Sequence, residues 1–545
     1  MKRHFVNFII LFPFIIIIIL FFGYFIIGYE LFMKKAIEAI GEQRHENEII
    51  KLISKEQINL IFLFLSGLLI VNLVFAFYRF IILNEIRKFY YQLKSAFFLR
   101  SKKIINDKAW LLFLIPGIFS IYLAISFPVT YDEAYTYLNY SSRGFVSSIG
   151  YYITPNNHIL NSLLAYFMLF VPIKNELLLI RIPSVFFNLI ILFFSYTLMN
   201  EYFNKRFALV YVSILSILFY SVYYSYQCRG YCLLDFCFLI MMYSIFKILN
   251  ENKIFYWWIF IISSILGFYV MPSFLYPFLT SIFIIILFLK KISIRLIFST
   301  LIIVTIVGIL YTPIILINGL NALVNNRFVQ PIERVEVLKK LPLFLITALK
   351  EITGVHFYIV LGIIILGIII MIKEKLKPAL IISIVFLLSP IILLISHSVI
   401  PFSRTFVYYV FIFAFFGTFL VDKLIKNFNL NILFLICISI QFFSLINFQF
   451  INNQIESYSI QADKDIFKII EGKKYLVNNW TFDPFLLFYL KTEKKKFNID
   501  YIPEMPLNVD TFNKKFDYII IDTKFDRTLL KKPYINYSRY HIYKY

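Results

Sequence analysis

Residues 5–29 read FVNFIILFPFIIIIILFFGYFIIGY and directly follow Met1-Lys-Arg-His4. The run is too long for the apolar segment of a signal peptide and lacks a small-residue cleavage site, so it predicts a retained signal anchor. Crossing about 30 Å of hydrocarbon takes about 20 apolar residues. This stretch therefore predicts a membrane-spanning helix and supplies the criterion for the rest of the chain.

The composition of the whole chain is also typical of a membrane protein, since 60% of its 545 residues are hydrophobic and 15% are charged. No water-soluble chain can hide that much apolar surface, so we predict an integral membrane protein. The low content of Gly (16) and Pro (18) excludes collagen-like and disordered chains. The cysteines form no C-x-x-C pair, which predicts core residues and neither a disulfide framework nor a zinc site. They are Cys228, Cys232, Cys237 and Cys437.

The length criterion predicts about thirteen transmembrane helices. After 5–29, the predicted spans are 59–83, 110–127, 177–197, 207–226, 231–249, 255–272, 273–289, 296–317, 356–372, 379–397, 405–421 and 430–448. An apolar run at 159–172 would form a helix of about 21 Å, which is shorter than the bilayer core. Counting it as a span would invert every later loop, so we expect a re-entrant or interfacial helix.

The basic residues test this map, because cytoplasmic loops collect Lys and Arg. With the N-terminus inside, they fall in alternate connections: Arg87, Lys88, Lys94, Arg100, Lys102, Lys103, Lys108, Lys205, Arg206, Lys290, Lys291, Arg295, Lys373, Lys375, Lys377, Lys423 and Lys426. The net charge of +22 therefore indicates membrane topology and membrane lipids as partners, not nucleic acid. We expect a multi-pass protein of a cell membrane, the bacterial inner membrane, with a cytoplasmic N-terminus.

The predicted fold class is an all-α polytopic membrane protein with juxtamembrane helices on the outer face and a small C-terminal α/β domain. Residues 1–104 hold two transmembrane helices and a basic cytoplasmic loop, and residues 105–448 form the transmembrane core with an outer loop at 128–176. Residues 449–545 form the extracytoplasmic α/β domain. Short apolar runs at 474–477 and 518–521 predict strands, and residues 484–491 predict a helix.

The outer loop carries adjacent carboxylates, Asp132 and Glu133. On a helix that begins near Asp132, the side chains of Asp132, Tyr135, Thr136 and Asn139 share one face, which could line a cavity. One carboxylate would then take a proton from an acceptor while the other orients it or holds a metal. The alternative is that Asp132 is simply the N-cap of this helix.

Two further polar residues lie near the outer ends of apolar segments. His158 precedes the short run at 159–172 and could contact a phosphate, bind a metal or move a proton. The alternative is that it caps that helix. Arg181 lies in the span from 177, where an arginine either snorkels to the surface or pairs with a buried anion.

The remaining two clusters lie in outer connections. Arg229 and Tyr231 form a turn with Asp235 one helical turn later, so a structural pair between Arg229 and Asp235 is the simplest account. Arg404 follows Ser403 in a later outer loop and could supply bidentate contacts to phosphate. All five clusters fall on one side of the membrane, which favours an outward-facing cavity over a transport site at the midplane.

The ordered set Tyr131-Asp-Glu-Ala134, Asn157-His158, Arg181-Ile-Pro-Ser184, Arg229-Gly-Tyr231 and Ser403-Arg404 resembles the membrane glycosyltransferases of the C superfamily. The most similar branch contains protein O-mannosyltransferases and the aminoarabinose transferase that acts on lipid A (families 39 and 83). The resemblance covers residues 105–450. It departs from the family at Cys228, where Ala is usual, and at Asn156-Asn157-His158, where Pro-His-Pro is commoner.

The resemblance implies transfer of a sugar from a polyprenyl-phosphate donor to an envelope acceptor at the outer face, the acceptor being protein, lipid A or a glycan. It implies that Asp132 is a general base supported by Glu133, and that Arg229 and Arg404 hold the donor phosphate. Tyr231 and Arg181 join that phosphate-binding set, and His158 binds metal or phosphate. A divalent cofactor is left open. The other hypotheses are a transporter or flippase of lipid-linked sugars and a non-catalytic membrane subunit.

Overall fold

The computed structural model describes residues 3–40, 110–152, 154–324, 330–468, 473–478, 482–492, 498–501, 516–523 and 533–544, with scattered residues between 55 and 95. Helices dominate, because a backbone in hydrocarbon must pair its own N–H and C=O groups. Every predicted span from residue 110 onward contains a helix. The predicted span at 59–83 and the basic loop after it lie largely outside the described residues.

One apolar core is formed by helices that lie between Leu111 and Ile455, while Arg3–Ile40 contributes to a separate buried cluster. The core helices are Leu111–Ser126, Glu176–Tyr202, Lys205–Leu215, Phe219–Tyr223, Tyr231–Glu251, Ile254–Val270, Leu275–Leu289, Ile294–Asn318, Arg334–Thr353, Phe357–Lys373, Lys377–His397, Tyr409–Leu424 and Leu430–Ile455. A short turn of helix at Asn321–Val324 follows Ile294–Asn318. All four cysteines are buried, as predicted.

The all-α polytopic class is confirmed, but fewer than thirteen helices of the described residues are long and apolar enough to cross a membrane. Among the described residues six helices qualify, or eight if each of two bent pairs is one span. The predicted span at 207–226 breaks after Leu215, and those at 255–272 and 405–421 fold as helices shorter than 18 residues. A count of apolar residues does not reveal such breaks, because it ignores where the helix ends.

One helix in the core lies where no span was predicted. Arg334–Thr353 carries charged residues along its length and meets Phe357–Lys373 at an angle of 84°. Gly354, at φ 73°, occupies the turn between them in a left-handed conformation that suits glycine. The helix packs against a 3-10 turn at Ser403–Phe406, which contains Arg404.

The outer loop folds into short helices at Tyr131–Asn139, Phe145–Gly150 and Ile159–Met168, with a 3-10 turn at Ser141–Arg143. We call Tyr131–Asn139 the acidic helix because it carries the two adjacent carboxylates. The helix Ile159–Met168 has ten residues and is about 15 Å long. The prediction that this run is too short to span is therefore confirmed.

The C-terminal residues form a small α/β unit beyond Ile455, where the last long helix ends. It contains a helix at Ser457–Ile466, a second at Asp483–Thr492, which we call the cap helix, and strands β1 Lys474–Asn478, β2 Asn498–Tyr501, β3 Tyr518–Asp522, β4 Ile535–Asn536 and β5 Tyr540–Lys544. The strand order is β2-β1-β3-β5-β4. Strand β1 pairs in parallel with β2 and β3, and β5 pairs antiparallel with β3 and β4. Both predicted strands and the predicted helix are confirmed.

The cap helix packs directly on the acidic helix. The Phe488 ring lies 5.0 Å from the Tyr137 ring, and the Phe485 ring lies 6.3 Å from the Tyr131 ring. These aromatic side chains belong to one buried cluster shared by the two helices and the sheet. The C-terminal unit is therefore fixed against the acidic helix, and residues of both helices line one cavity.

Candidate active site

The acidic helix begins at a capping box formed by Thr130 and Glu133. The Glu133 carboxylate accepts hydrogen bonds from Thr130 N and Thr130 Oγ1, both at 3.1 Å. This arrangement satisfies polar groups that the start of a helix leaves open. The alternative that Asp132 is the N-cap is therefore wrong, because Thr130 occupies that position and leaves the Asp132 side chain to make other contacts.

Glu133 forms a bidentate ion pair with Arg181 of the helix Glu176–Tyr202. Arg181 Nε lies 2.8 Å from Oε1 and Nη2 lies 2.6 Å from Oε2, and neither side chain is exposed to solvent. The backbone N–H of Cys228 also donates to Oε1 at 2.7 Å. Snorkelling of Arg181 is therefore wrong, and the other expectation, a pair with a buried anion, describes it.

The Arg181 guanidinium also donates hydrogen bonds to carbonyl groups at the C-terminal end of the helix Leu111–Ser126. Nη1 donates to Phe127 O at 2.7 Å and to Ala124 O at 3.2 Å, and Nη2 donates to Pro128 O at 2.9 Å. Carbonyls at a helix C-terminus have no partner within the helix. Arg181 thus links the helix Leu111–Ser126, the acidic helix and the turn at Cys228. We call the Glu133–Arg181 ion pair the buried clamp.

Asp132 faces the other way and is 32% exposed. Its Oδ2 lies 3.3 Å from Arg229 Nη2 and 3.5 Å from Arg404 Nη1. Two arginines from distant parts of the chain therefore meet at one carboxylate. The expected structural pair between Arg229 and Asp235 is wrong, because Arg229 points to Asp132.

Arg229 is 2% exposed and is held from several sides. Nη1 donates to the side-chain oxygen of Asn156 and, at 3.4 Å, to Thr136 Oγ1, and the guanidinium lies 5.7 Å from the centre of the Tyr231 ring. Its Nε has no hydrogen-bond partner among the described residues. Buried donors are almost always paired, so this unpaired N–H is an exception in the site.

Arg404 is held in the 3-10 turn Ser403–Phe406, with its guanidinium 4.5 Å from the centre of the Phe402 ring. The turn is fixed by Glu351, whose carboxylate accepts from Ser403 Oγ and, at 2.9 Å, from the Tyr220 hydroxyl. Glu351 belongs to the helix Arg334–Thr353. The helix Arg334–Thr353, which was not predicted as a membrane span, therefore positions Arg404, which was predicted as a site residue.

His158 lies at the start of the helix Ile159–Met168 but does not cap it with its side chain. Its Nδ1 accepts from Gly230 N at 2.7 Å, which leaves the ring proton on Nε2. Burial, together with the charges of Arg229 and Arg404, lowers the pKa of His158 well below its usual range. A side chain at position 230 would come within 2.7 Å of His158 Cβ, so the contact depends on glycine.

These residues surround a cavity of about 1560 Å³. Its lining includes Asp132, His158, Tyr231 and Arg404, but Glu133, Arg181 and Arg229 lie behind the wall. The other lining residues are Tyr131, Tyr135, Leu138, Asn139, Arg143, Tyr152, Thr154, Pro155, Asn156, Met271, Pro272, Ser273, Leu275, Tyr276, Leu323, His397, Pro401, Phe402, Thr405, Asp483, Pro484, Leu487, Leu490 and Lys491.

The predicted polar face of the acidic helix is nearly the one observed. Asp132, Tyr135 and Asn139 line the cavity, while Thr136 lies behind them against Arg229. Leu138 was expected on another face, but it also lines the cavity. Three of the four residues that helical periodicity predicted to face a cavity therefore do so.

The sequence left a divalent metal open, and the site residues do not group as metal ligands. In the part of the chain that the structure describes, no group of three or more His, Cys, Asp or Glu side chains could hold a metal ion. Glu133 already accepts from Arg181, Cys228 N and Thr130, and His158 Nδ1 accepts from Gly230 N. The Glu133 carboxylate and His158 Nδ1 are therefore already hydrogen-bonded to protein groups.

Sequence reasoning missed two residues that support the site. Thr130 could have been found, because Thr-x-x-Glu is the pattern of a capping box. Glu351 carries no such signal: it lies 52 residues from Ser403 in a helix without a long apolar run. Its role depends on a contact between distant segments.

The described residues combine a core of apolar helices, a loop that carries Asp132 and Glu133, and a small α/β unit. No protein-family profile matches the chain, and no curated protein matches it in sequence.

Solved structures share this architecture. The chain is similar to ArnT from Cupriavidus metallidurans in the apo state, with a TM-score of 0.54, 11% identity, and coverage of 80% of this chain and 98% of ArnT. For ArnT bound to undecaprenyl phosphate the TM-score is 0.51 at 10% identity, over 79% and 97% of the two chains. At this identity the likeness establishes the fold, and the chemistry must be argued from the site.

Proposed function

We propose that the protein is a glycosyltransferase that moves a sugar from a polyprenyl-phosphate donor to an acceptor in the cell envelope, at the outer face of the membrane. The observation that carries the proposal is Asp132, a partly exposed carboxylate that contacts two arginines at the wall of a cavity of about 1560 Å³. Pockets for single small ligands are commonly 300–1,000 Å³. The cavity has room for a sugar donor and an acceptor together.

Arg229 and Arg404 form the donor phosphate site in this proposal. Both guanidinium groups reach the same oxygen of Asp132, and Arg229 Nε has no hydrogen-bond partner among the described residues. Preorganised positive donors favour the negative charge that develops on a leaving phosphate. The binding of undecaprenyl phosphate by ArnT, which shares the fold, supports a lipid phosphate as the ligand.

The carboxylate and the phosphate compete for the same two arginines. A donor phosphate that takes hydrogen bonds from Arg229 and Arg404 draws them away from Asp132. The released carboxylate then accepts the proton of an acceptor hydroxyl or amine, as a general base does. The acceptor atom bonds to the anomeric carbon, the bond from that carbon to the phosphate oxygen breaks, and the electron pair leaves with polyprenyl phosphate. In-line attack inverts the anomeric centre.

The other predicted residues have supporting roles. The buried clamp holds the start of the acidic helix, so Glu133 and Arg181 position Asp132 without touching either substrate. The Arg229 guanidinium lies over the Tyr231 ring, so Tyr231 supports it by a cation–π contact. Neutral His158 presents its Nε2–H as a donor to the sugar or the phosphate, and its low pKa prevents it from adding a third positive charge.

The test is the Asp132→Asn variant of the full-length protein in lipid nanodiscs. We expect sugar transfer from a synthetic polyprenyl-phosphate sugar to fall by about 10²–10⁴-fold, the usual contribution of a general base. Binding of polyprenyl phosphate should persist, because Arg229 and Arg404 remain. Full transfer activity in the variant would refute the general base, and binding without transfer in the wild-type protein would indicate a transporter or flippase.

A further inference from the structure

The cavity extends beyond the arginines to a second cluster of positive charge. Arg143 follows the acidic helix, Lys491 lies at the end of the cap helix, and both line the cavity. The two converge on one turn, because Lys491 Nζ donates to Ser142 Oγ at 2.7 Å and Ser142 adjoins Arg143. This cluster belongs neither to the donor phosphate site nor to the buried clamp.

The acidic helix sets the distance between this cluster and the reacting carboxylate. Arg143 Nη2 donates to the side-chain oxygen of Asn139 at 3.3 Å, and its Nε donates to Leu138 O at 2.9 Å. Asn139 is seven residues after Asp132, which corresponds to about 10 Å along the helix. The positive cluster is therefore about one disaccharide length from Asp132.

The walls between the two ends suit a saccharide. On the acidic helix, Tyr131 and Tyr135 line the cavity with their rings stacked 6.4 Å apart. On the cap helix, Pro484, Leu487 and Leu490 line the same cavity. Tyrosine offers an apolar ring face and a hydroxyl together, which matches the C–H face and hydroxyl edge of a sugar ring.

The electrostatics of Lys491 are consistent with an anion site. Burial and the charge of Arg143 lower its pKa, and the opposing charge of Glu176 does not cancel them. Glu176 itself accepts a hydrogen bond from the Tyr137 hydroxyl. Two cations held this close repel each other, and an acidic group placed between them would relieve that repulsion.

We propose that Arg143 and Lys491 form an acceptor subsite for a saccharide that carries an acidic group about 10 Å from the hydroxyl that is glycosylated. The inference rests on the proposed function, since it assigns the acceptor to this half of the cavity. The acidic group is a carboxylate or a phosphate ester, which offer the same charge-assisted hydrogen bonds to Arg and Lys. The C-terminal unit thus contributes a residue to acceptor choice.

Direct binding tests the subsite without any need for turnover. The full-length protein in nanodiscs is titrated with trigalacturonic acid and with its neutral methyl ester, and in a second arm with maltose 1-phosphate and maltose. We expect at least one acidic form to bind at least about tenfold more tightly than its neutral partner, as one charge-assisted contact implies. Equal affinity in both arms overturns the subsite.

Variants assign the preference to residues. Arg143→Gln with Lys491→Gln should abolish the preference for the acidic form, and Lys491→Gln alone should weaken it while leaving the Arg143 bonds to Leu138 and Asn139 intact. Lys464→Gln, which removes an exposed charge elsewhere in the same C-terminal unit, should retain the preference. A preference that survives in the double variant, or is lost in Lys464→Gln, contradicts the assignment.

Two further measurements separate the alternatives. A triglutamate peptide that binds as tightly as trigalacturonic acid would contradict a saccharide as the acceptor. Binding of polyprenyl phosphate to the wild-type protein is measured in parallel. If that binding is absent while the acid preference is present, the proposed donor fails and the anionic saccharide site stands.

Discussion

Asp132 and Glu133 are adjacent carboxylates on one helix, and both form ion pairs with arginine, yet their surroundings differ completely. Glu133 is wholly buried and accepts from Arg181, Cys228 N and Thr130. Asp132 is one-third exposed and contacts its two arginines singly, at 3.3 and 3.5 Å. The difference shows that burial and the number of donors, not residue type, separate a structural carboxylate from one that can exchange its partners.

The largest expected effect is on the buried clamp. Arg181→Met leaves the Glu133 carboxylate buried without its charge partner, so we expect the free energy of unfolding to fall by about 3–5 kcal/mol. Denaturant unfolding in mixed micelles measures it. Adding Glu133→Gln to Arg181→Met should recover part of the loss, because the uncompensated charge is removed.

A matched control for the clamp is Lys339→Gln, which breaks an exposed pair with Glu336. Such pairs contribute about 0–1 kcal/mol. If Arg181→Met lowers the free energy of unfolding no more than Lys339→Gln does, the clamp does not stabilise the loop.

The exposed site should respond in ligand affinity more than in stability. Arg404→Gln removes one charge-assisted contact to the donor phosphate, and we expect the Kd for polyprenyl phosphate to rise by about 10–100-fold, since such bonds contribute about 1.5–3 kcal/mol. Arg404→Lys should be intermediate, because lysine keeps the charge without the planar fork. An unchanged Kd in Arg404→Gln, measured by titration in nanodiscs, would remove Arg404 from the phosphate site.

The smallest expected effect is the pH dependence set by His158. Its pKa is lowered in the folded protein by burial and by Arg229 and Arg404, so below about pH 6.5 the unfolded chain binds a proton that the folded chain does not. Stability should therefore fall as pH drops below 6.5, by up to about 1.4 kcal/mol per pH unit from this residue.

The matched variant for the pH effect is His158→Gln, which cannot gain that proton. Its unfolding free energy should be less dependent on pH between 5 and 6.5 than that of the wild-type protein. Identical slopes for the two proteins would contradict the neutral, buried state of His158.

Much of the fold follows from local pattern. The apolar runs from residue 110 onward, the short run at 159–172 and the strands at 474–477 and 518–521 were all predicted, because hydrophobicity over 5–20 residues decides their burial. The helix Arg334–Thr353 was not predicted, since its charged residues interrupt the apolar run. The helix break after Leu215 was also missed, because no Gly or Pro marks it in the sequence.

The sequence by itself determined that the chain is a helical, multi-pass membrane protein, and it singled out the polar residues that interrupt its apolar segments. Four of them stand out in the sequence: Asp132, His158, Arg229 and Arg404. An ionisable group in or near the membrane is energetically costly, so such a residue usually has a partner or a function. Only the tertiary structure decided their partners. Asp132 meets Arg404 across 272 residues and Glu133 meets Arg181 across 48, and no local pattern specifies contacts between segments so far apart in the chain.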